Sequence, residues 1–164
     1  MQFSPDTIRC DYASPLGPMV LAARAHALVG VWFVGQHHQP DWSLWPGDTQ
    51  HPVLLQTARQ LDAYFAGTMR QFDLPLDLGN GTDFQQSVWR ALCAIEPGHT
   101  VSYGTISQLI GKPTAVRAVG AAIGRNPLSI VVPCHRVVGA NGALTGYAGG
   151  LDRKIALLQL ESRL

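Results

Sequence analysis

The sequence is poor in charge and contains no long apolar segment. Charged residues make up 14% of its 164 residues and hydrophobic residues 46%, so the chain can bury a core and does not have a disordered composition. It contains neither an apolar run of about eighteen residues nor a basic-then-apolar leader at Met1. We therefore expect a soluble, cytoplasmic protein that is neither secreted nor membrane-spanning.

Cysteine is also scarce. Cys10, Cys93 and Cys134 are widely spaced, odd in number and without a CxxC pair, which argues against a disulfide framework and favours a reducing compartment. At least one thiol is then free for chemistry. No spacing around Cys10 resembles a zinc site, so we expect no metal and no other cofactor. Solvated loop side chains are the simpler interpretation of the histidines of the first half, which are His26, His37, His38 and His51.

The net charge of +1 gives little indication of a nucleic-acid partner, but its distribution is uneven. Residues 1–82 contain four basic and seven acidic residues, a net charge of −3, whereas residues 83–164 contain eight basic and four acidic ones, a net charge of +4. A basic half can meet phosphate, although most such asymmetries are only solvated surface.

The first half predicts a sheet with one helix. Short apolar or alternating runs separated by turn residues predict antiparallel strands at 8–12, 18–23 and 28–34. After a polar loop, Pro52 begins a helix with an apolar stripe that ends at Gly67. The alternation over 72–78 predicts a further strand, at an edge because of Pro75. We place a domain boundary at 79–82, which gives domains 1–82 and 83–164.

The second half is predicted to be mostly helical. Asp83 is the predicted cap of a first helix and Ser102 of a second, 105–110, which is followed by a third over 114–123. Two short helices joined by a glycine-containing turn are typical of a helix-turn-helix, although an ordinary helical corner gives the same pattern. The remaining predicted elements are a strand at 129–132, a glycine-rich loop at 139–150 and a helix at 153–162 capped by Asp152. The fold class is α/β (α+β).

Cys134 lies between Pro133 and His135, directly after an apolar run. A cysteine in such a place is most often buried and inert, and the local sequence alone favours that interpretation. A reactive cysteine needs a nearby base or cation, and histidine is a suitable base. Adjacent residues of an extended strand point to opposite faces, so either the chain turns at Pro133 or a water carries the proton.

A histidine that acts as a base also needs a carboxylate or carbonyl on its far nitrogen. The acidic side chains available in this half are Asp83, Glu96, Asp152 and Glu161. Glu161 is favoured because it lies on an apolar helix that must pack on the core and would hold it rigidly.

Several motifs in register decide between these interpretations. The run from Pro133 to Val137 resembles the active-site signature of the O6-alkylguanine-DNA alkyltransferases, the methylated-DNA–protein-cysteine methyltransferases. Further matching segments, in the family's order and approximate spacing, are 101–104, 117–120, 126–127, 146–151 and 157–161. The resemblance is strong over 83–163 and looser over 1–82. It implies an N-terminal antiparallel sheet with a helix, ribonuclease-H-like, and a C-terminal helical domain that carries the cysteine.

The resemblance also implies a reaction. Cys134 matches the acceptor of an alkyl group displaced in line from O6 of guanine, and O4-alkylthymine is a further expected substrate. His135 matches the base that acts through a water, and Glu161 matches the carboxylate that orients it. Tyr103 matches the donor to the leaving guanine, and Asn126 matches an asparagine that bridges helix and active-site loop. Because a thioether offers no route back to a thiol, one protein should repair one lesion.

Recognition of the lesion is implied in the same way. The backbone around Val137, Ala148 and Gly149 matches the guanine pocket, although family members often carry serine in place of Ala148. Arg117 matches the arginine that fills the stack after base flipping. The remaining residues assigned to DNA contact are the small Ala118 and Ala121, together with Arg125. The expected partner of this monomer is double-stranded DNA carrying alkylated bases, contacted in the minor groove with little sequence preference.

Three other functions remain open at this point: a non-catalytic lesion-binding protein, a helix-turn-helix regulator and a cysteine hydrolase. A lesion-binding protein would take up no alkyl group. A regulator would prefer one DNA sequence, and a hydrolase would turn over repeatedly.

Overall fold

The structure, a computed structural model, describes residues 3–162. Its first half contains an antiparallel sheet in the order β1-β2-β3, as the sequence predicts. Tight turns end the first two strands, since Ser14 pairs with Gly17 and Arg24 pairs with Ala27. The strands are β1 (Ile8–Ser14), β2 (Gly17–Arg24) and β3 (Ala27–Phe33).

Both faces of this sheet are covered. Helix α1 (Pro52–Phe65) begins at a proline and packs its buried side chains, among them Leu61 and Tyr64, into the main core. On the opposite face Trp32 contacts an aromatic group formed by Phe3, Trp42 and Trp45.

The second half is helical, as predicted. Helices α3 and α4 pack on each other, and Gly111, at φ +69°, turns the chain between them. The main core includes side chains from both halves, such as Val31, Trp89 and Leu157. Within residues 3–162, none of the helices is long and apolar enough to cross a membrane. The elements are α2 (Asp83–Leu92), β4 (Val101–Ser102), α3 (Tyr103–Leu109), α4 (Val116–Gly124), β5 (Val137–Val138) and α5 (Leu151–Glu161).

Two predicted helix caps are wrong, whereas Ser102 caps α3 as expected. Thr82, not Asp83, caps α2, since its hydroxyl accepts from the Gln85 N–H and the Gln85 side chain accepts from the Thr82 N–H. Gly150, not Asp152, precedes α5, at φ +94°, a conformation that favours glycine. Both aspartates lie instead in the first turn, where they complement the helix dipole.

Two predicted strands are also wrong. Over 72–78 a single bridge joins Leu76 to Leu28, because Pro75 has no N–H to continue a ladder. Over 129–132 the chain turns, and the pairing with β3 is confined to a bridge between Leu128 and Val31. The positive φ of Ile130, +72°, bends the backbone out of the extended conformation immediately after that bridge.

Candidate active site

Two consecutive tight turns present Cys134. The Val131 N–H donates to the Ser129 carbonyl at 2.9 Å across Ile130, and the Cys134 N–H donates to the Val132 carbonyl at 2.8 Å across Pro133. Pro133, at φ −80° and ψ 63°, has the geometry of an inverse γ-turn, whereas the turn at Ile130, with its positive φ, is of the rare, strained kind. The chain then enters a 3₁₀ turn, Cys134–Arg136. The sequence leaves two possibilities for proton transfer from Cys134, a turn of the chain at Pro133 or a water that carries the proton. The structure contains the turn at Pro133.

Asn126 holds this segment together from the end of α4. Its side-chain Nδ2 donates to the Val132 carbonyl at 2.8 Å and to Cys134 Sγ at 3.1 Å, and its Oδ1 accepts from the Leu128 N–H at 2.9 Å. Because Asn126 is itself buried, the amide both fixes the loop and points a donor at the sulfur.

Different parts of the surroundings of Cys134 have opposite effects on the pKa of its thiol. Burial raises the pKa of Cys134, and the hydrogen bond from Asn126 and the nearby Lys154 cation act to lower it. The net result is a thiol that is protonated at neutral pH, so a base has to remove its proton during the reaction.

His135 is placed to act as such a base. Its ring is fully buried, and its Nε2 lies 2.8 Å from Glu161 Oε1. Burial lowers the pKa of His135 in spite of the neighbouring carboxylate, so the ring is neutral at pH 7. Nε2 therefore carries the hydrogen that Glu161 accepts, and Nδ1 presents a lone pair that no described protein atom satisfies.

Glu161, on α5, is the centre of a buried polar network. Arg136 donates to both of its oxygens, from Nε at 2.9 Å and from Nη2 at 2.8 Å, and Tyr64 of α1 donates to Oε1 at 2.8 Å. Burial acts to raise the pKa of Glu161, but the hydrogen bonds from His135 and Arg136 and the Arg136 charge hold it well below its usual range. The carboxylate is thus ionised and held in place by four donors.

Tyr103 reaches the same site through a short parallel ladder. Strand β4 ends one residue before Tyr103, and β5 begins directly after the 3₁₀ turn of Cys134, with Val101 paired to Val137 and Ser102 to Val138. The half-buried Tyr103 donates its hydroxyl to the Thr145 carbonyl at 3.0 Å.

A pocket of about 520 Å³ opens beside Cys134, a volume typical of small-molecule sites. Ala148 lines it, whereas Val137 and Gly149 are not among its lining residues. The Val137 N–H donates to the Cys134 carbonyl. Gly149 packs so closely on Tyr147 and Phe33 that a Cβ would lie 2.8 Å from the tyrosine ring. The complete lining is His37, His38, Ile123, Gly124, Cys134, Gly146, Tyr147, Ala148, Gly150 and Leu151.

The residues assigned to DNA contact share one side of α4. Arg117, Ala118 and Ala121 are exposed, and Arg125, just past the helix, is exposed as well. The small side chains leave the backbone accessible between two cations. The inner side of α4 packs through Val119 and accepts a hydrogen bond from the Trp89 indole.

Three residues of the site were not assigned a role from the sequence. Arg136 and Tyr64 bind Glu161, and the fully buried Lys154 donates to the carbonyls of Val137, Thr145 and Gly146 at 2.7, 2.9 and 3.2 Å. Arg136 was visible as part of the motif, but the contact between Tyr64 and α5 spans 97 positions and leaves no local signal. Lys154 occupies an inward position of an amphipathic helix, which is an unusual place for a lysine.

Metal ligands do not cluster in this structure. Among residues 3–162, no three His, Cys, Asp or Glu side chains lie close enough together to hold an ion. The three cysteines are free thiols.

Comparison with known proteins agrees with the site. The family described as "6-O-methylguanine DNA methyltransferase, DNA binding domain" matches residues 83–163, and its "ribonuclease-like domain" matches residues 11–78. A Mycobacterium tuberculosis protein named methylated-DNA–protein-cysteine methyltransferase is 51% identical over 90% of this chain and 88% of its own, and a Methanosarcina barkeri protein of that name is 47% identical over 90% and 92%.

Solved structures give the same result. The crystal structure of the Mycobacterium tuberculosis O6-methylguanine methyltransferase is 48% identical, with a TM-score of 0.87 over 96% of this chain and 93% of that one. Mycobacterium tuberculosis OGT in complex with DNA matches at a TM-score of 0.84, over 96% and 92% of the two chains. The resemblance predicted from the motifs is confirmed. This chain belongs to the 6-O-methylguanine DNA methyltransferase family.

Proposed function

We propose that this protein repairs DNA by moving the alkyl group of an O6-alkylated guanine onto Cys134. The observation that carries the proposal is a buried cysteine that opens into a pocket and is followed directly by a histidine bound to an ionised carboxylate. Relatives about half identical over nine-tenths of the chain are named methylated-DNA–protein-cysteine methyltransferases. In this proposal Cys134 is the acceptor.

Activation begins at His135. Its Nδ1 accepts the Cys134 proton through one water, while Glu161 holds Nε2 and stabilises the imidazolium that forms. The thiolate then attacks the alkyl carbon in line, so that the S–C bond forms as the C–O6 bond breaks. Donation from Asn126 to the sulfur stabilises the thiolate before the attack.

The leaving guanine carries the electron pair of the broken bond. Tyr103 is the proposed hydrogen-bond donor that stabilises this charge, which requires its hydroxyl to exchange the Thr145 carbonyl for a ring nitrogen of the base. The proton taken up by His135 returns through water to the released guanine, so that the step balances. In this proposal, backbone groups of the loop containing Ala148 and Gly149, together with the backbone at Val137, form the guanine pocket. The alanine at 148 retains its N–H for this purpose and has no hydroxyl to contribute.

Access to the target atom requires the base to leave the duplex. The protein binds DNA, in agreement with its DNA-binding domain and with the DNA complex of a 48% identical relative. We propose that the exposed side of α4 enters the minor groove, that Arg117 fills the vacated stack and that Arg125 contacts phosphate. Ala118 and Ala121 allow the helix to lie close to the sugar-phosphate wall. We expect this monomer to contact the minor groove with little sequence preference, because that groove carries little base-specific information. O4-alkylthymine is a further proposed substrate.

The two halves of the chain have different parts in this proposal. Residues 83–164 bind DNA and accept the alkyl group, and residues 1–82 form a scaffold. The scaffold contributes Tyr64 to the carboxylate network and the β3 bridge that holds the chain just before Cys134.

A radiolabel-transfer assay tests the proposed function. The protein is incubated with duplex DNA that carries radiolabelled O6-methylguanine, and label on the protein is counted after denaturation. We expect label to appear on the unaltered protein and on Cys93→Ala, a matched loss of an exposed thiol, but not on Cys134→Ala. Cys134→Ala should bind the DNA with nearly unchanged affinity.

Other outcomes identify the alternatives. Binding without any transfer would favour a lesion-binding protein, and affinity confined to one DNA sequence would favour a regulator. Repeated turnover by Cys134 would indicate a hydrolase. Label retained by Cys134→Ala would contradict the assignment of the acceptor.

A further inference from the structure

His37 and His38 belong to the first half of the chain, yet both line the pocket that contains Cys134. The sequence predicts them to be solvated loop side chains, and they are exposed. They lie at the mouth of the pocket, in the turn that follows β3. The scaffold half therefore contributes directly to the wall of the proposed alkyl-acceptor site.

Hydrogen bonds on both sides of the pair hold this turn against the active site. The His37 N–H donates to the Ala148 carbonyl of the pocket loop at 2.9 Å. The buried Gln36 accepts from the Phe33 N–H at 2.9 Å and from the Ser129 hydroxyl at 3.0 Å through its side-chain oxygen. Gly35 N–H donates to the Gln39 side chain at 2.7 Å. The two imidazoles are thus carried on a fixed backbone that is tied to the reacting segment.

The rest of the pocket lining consists of three larger side chains, Ile123, Tyr147 and Leu151, and of four residues with small side chains or none, Gly124, Gly146, Ala148 and Gly150. His37 and His38 are the two exposed aromatic side chains of this lining, so a substituent that points out of the pocket on their side meets the imidazole rings. A volume of about 520 Å³ lies within the range that holds drug-sized ligands, so the pocket has room for a guanine with a large O6 group. These rings therefore act as a contact surface, not as a steric limit.

We infer that His37 and His38 form a specificity-determining wall that contacts O6 substituents larger than methyl, with a preference for aromatic ones. The inference rests on the proposed transfer to Cys134. The carbon that reacts must lie against Cys134 Sγ, so a methyl group ends deep in the pocket, whereas the ring of a benzyl group extends from that carbon towards the mouth. Offset or edge-to-face contact between that ring and an imidazole stabilises the larger substrate alone.

The test measures single-turnover rate constants on one duplex that carries either O6-methylguanine or O6-benzylguanine at the same position. The ratio of benzyl to methyl rates cancels contributions from DNA binding. The test variant combines His37→Ala with His38→Asn, because asparagine tolerates the positive φ of His38, +62°. His26→Ala, an exposed histidine of the same half away from the pocket, is the matched control. Thermal unfolding checks that each variant is folded.

We expect the benzyl-to-methyl ratio of the double variant to fall about two- to tenfold. The ratio should be unchanged in His26→Ala and largely retained in His37→Phe, which keeps an aromatic ring. An unchanged or increased ratio in the double variant would overturn the inference. If the ratio is unchanged because both rates fall equally, the two histidines contact the DNA and not the O6 substituent. Absence of transfer by the unaltered protein would instead overturn the proposed function, and the inference with it.

Discussion

Replacement of Glu161 by glutamine should destabilise the whole protein, not only the proposed reaction. The carboxylate accepts four hydrogen bonds, two of them from the buried Arg136 guanidinium. In Glu161→Gln the amide NH₂ faces groups that donate to the carboxylate in the unaltered protein, and the Arg136 charge loses its counter-charge. Removal of one partner of a buried ion pair costs about 3–5 kcal/mol.

That cost is a large part of the free energy of unfolding, which is about 5–15 kcal/mol for a typical domain. For a chain of this length it corresponds to a fall in Tm of about 6–20 °C. Urea denaturation followed by circular dichroism at pH 7 measures the free energy. Glu96→Gln, at an exposed glutamate of the same half, is the control and should change stability by less than about 0.5 kcal/mol.

The dependence on pH gives a second measure of the same effect. Because the folded pKa of Glu161 is depressed, its contribution is complete above the unfolded-state pKa of about 4.3 and is lost as the pH falls through the folded value. The stability difference between the unaltered protein and Glu161→Gln should therefore narrow below about pH 4.3. A difference at pH 7 no larger than that of Glu96→Gln, or one independent of pH, would contradict this role of the Glu161 carboxylate.

Three further outcomes follow from the site. Asn126→Ala should raise the pKa of Cys134 further, so that its alkylation by iodoacetamide, followed by mass spectrometry, needs a higher pH; an unchanged pH profile would contradict the role of this hydrogen bond. Arg117→Ala should slow transfer from duplex DNA and leave the reaction with free O6-benzylguanine unchanged, and equal slowing of both would exclude a role confined to DNA. Lys154→Met should lower the free energy of unfolding by about 1–3 kcal/mol for each carbonyl left unpaired, as measured by urea denaturation. The exposed Lys112→Met is the control, and an equal loss of stability in both variants would show that the buried contacts contribute nothing.

The elements that local patterns define were predictable from the sequence. The three antiparallel strands and α1 follow from alternation, turn residues and Pro52, and all are present. The predicted strands at 72–78 and 129–132 failed because one proline and one positive φ, at Pro75 and Ile130, interrupt the pairing. Apolar content alone does not reveal such interruptions.

The site was predictable where its residues lie in motifs. A requirement for a carboxylate near His135 pointed to Glu161, and the two side chains are 2.8 Å apart. Contacts between distant segments could not be predicted in this way, because nothing near Tyr64 or His37 in the sequence indicates proximity to residues about a hundred positions away. They depend on how the two halves pack.

We propose above all that Cys134 accepts a single alkyl group and keeps it. The direct measurement is mass spectrometry of the intact protein and its peptides after incubation with an excess of duplex DNA that carries O6-methylguanine. We expect one methyl group per protein, located on Cys134, and no further loss of lesion after that point. Continued loss of lesion beyond one per protein, or a methyl group on Cys93 or Cys10, would contradict it.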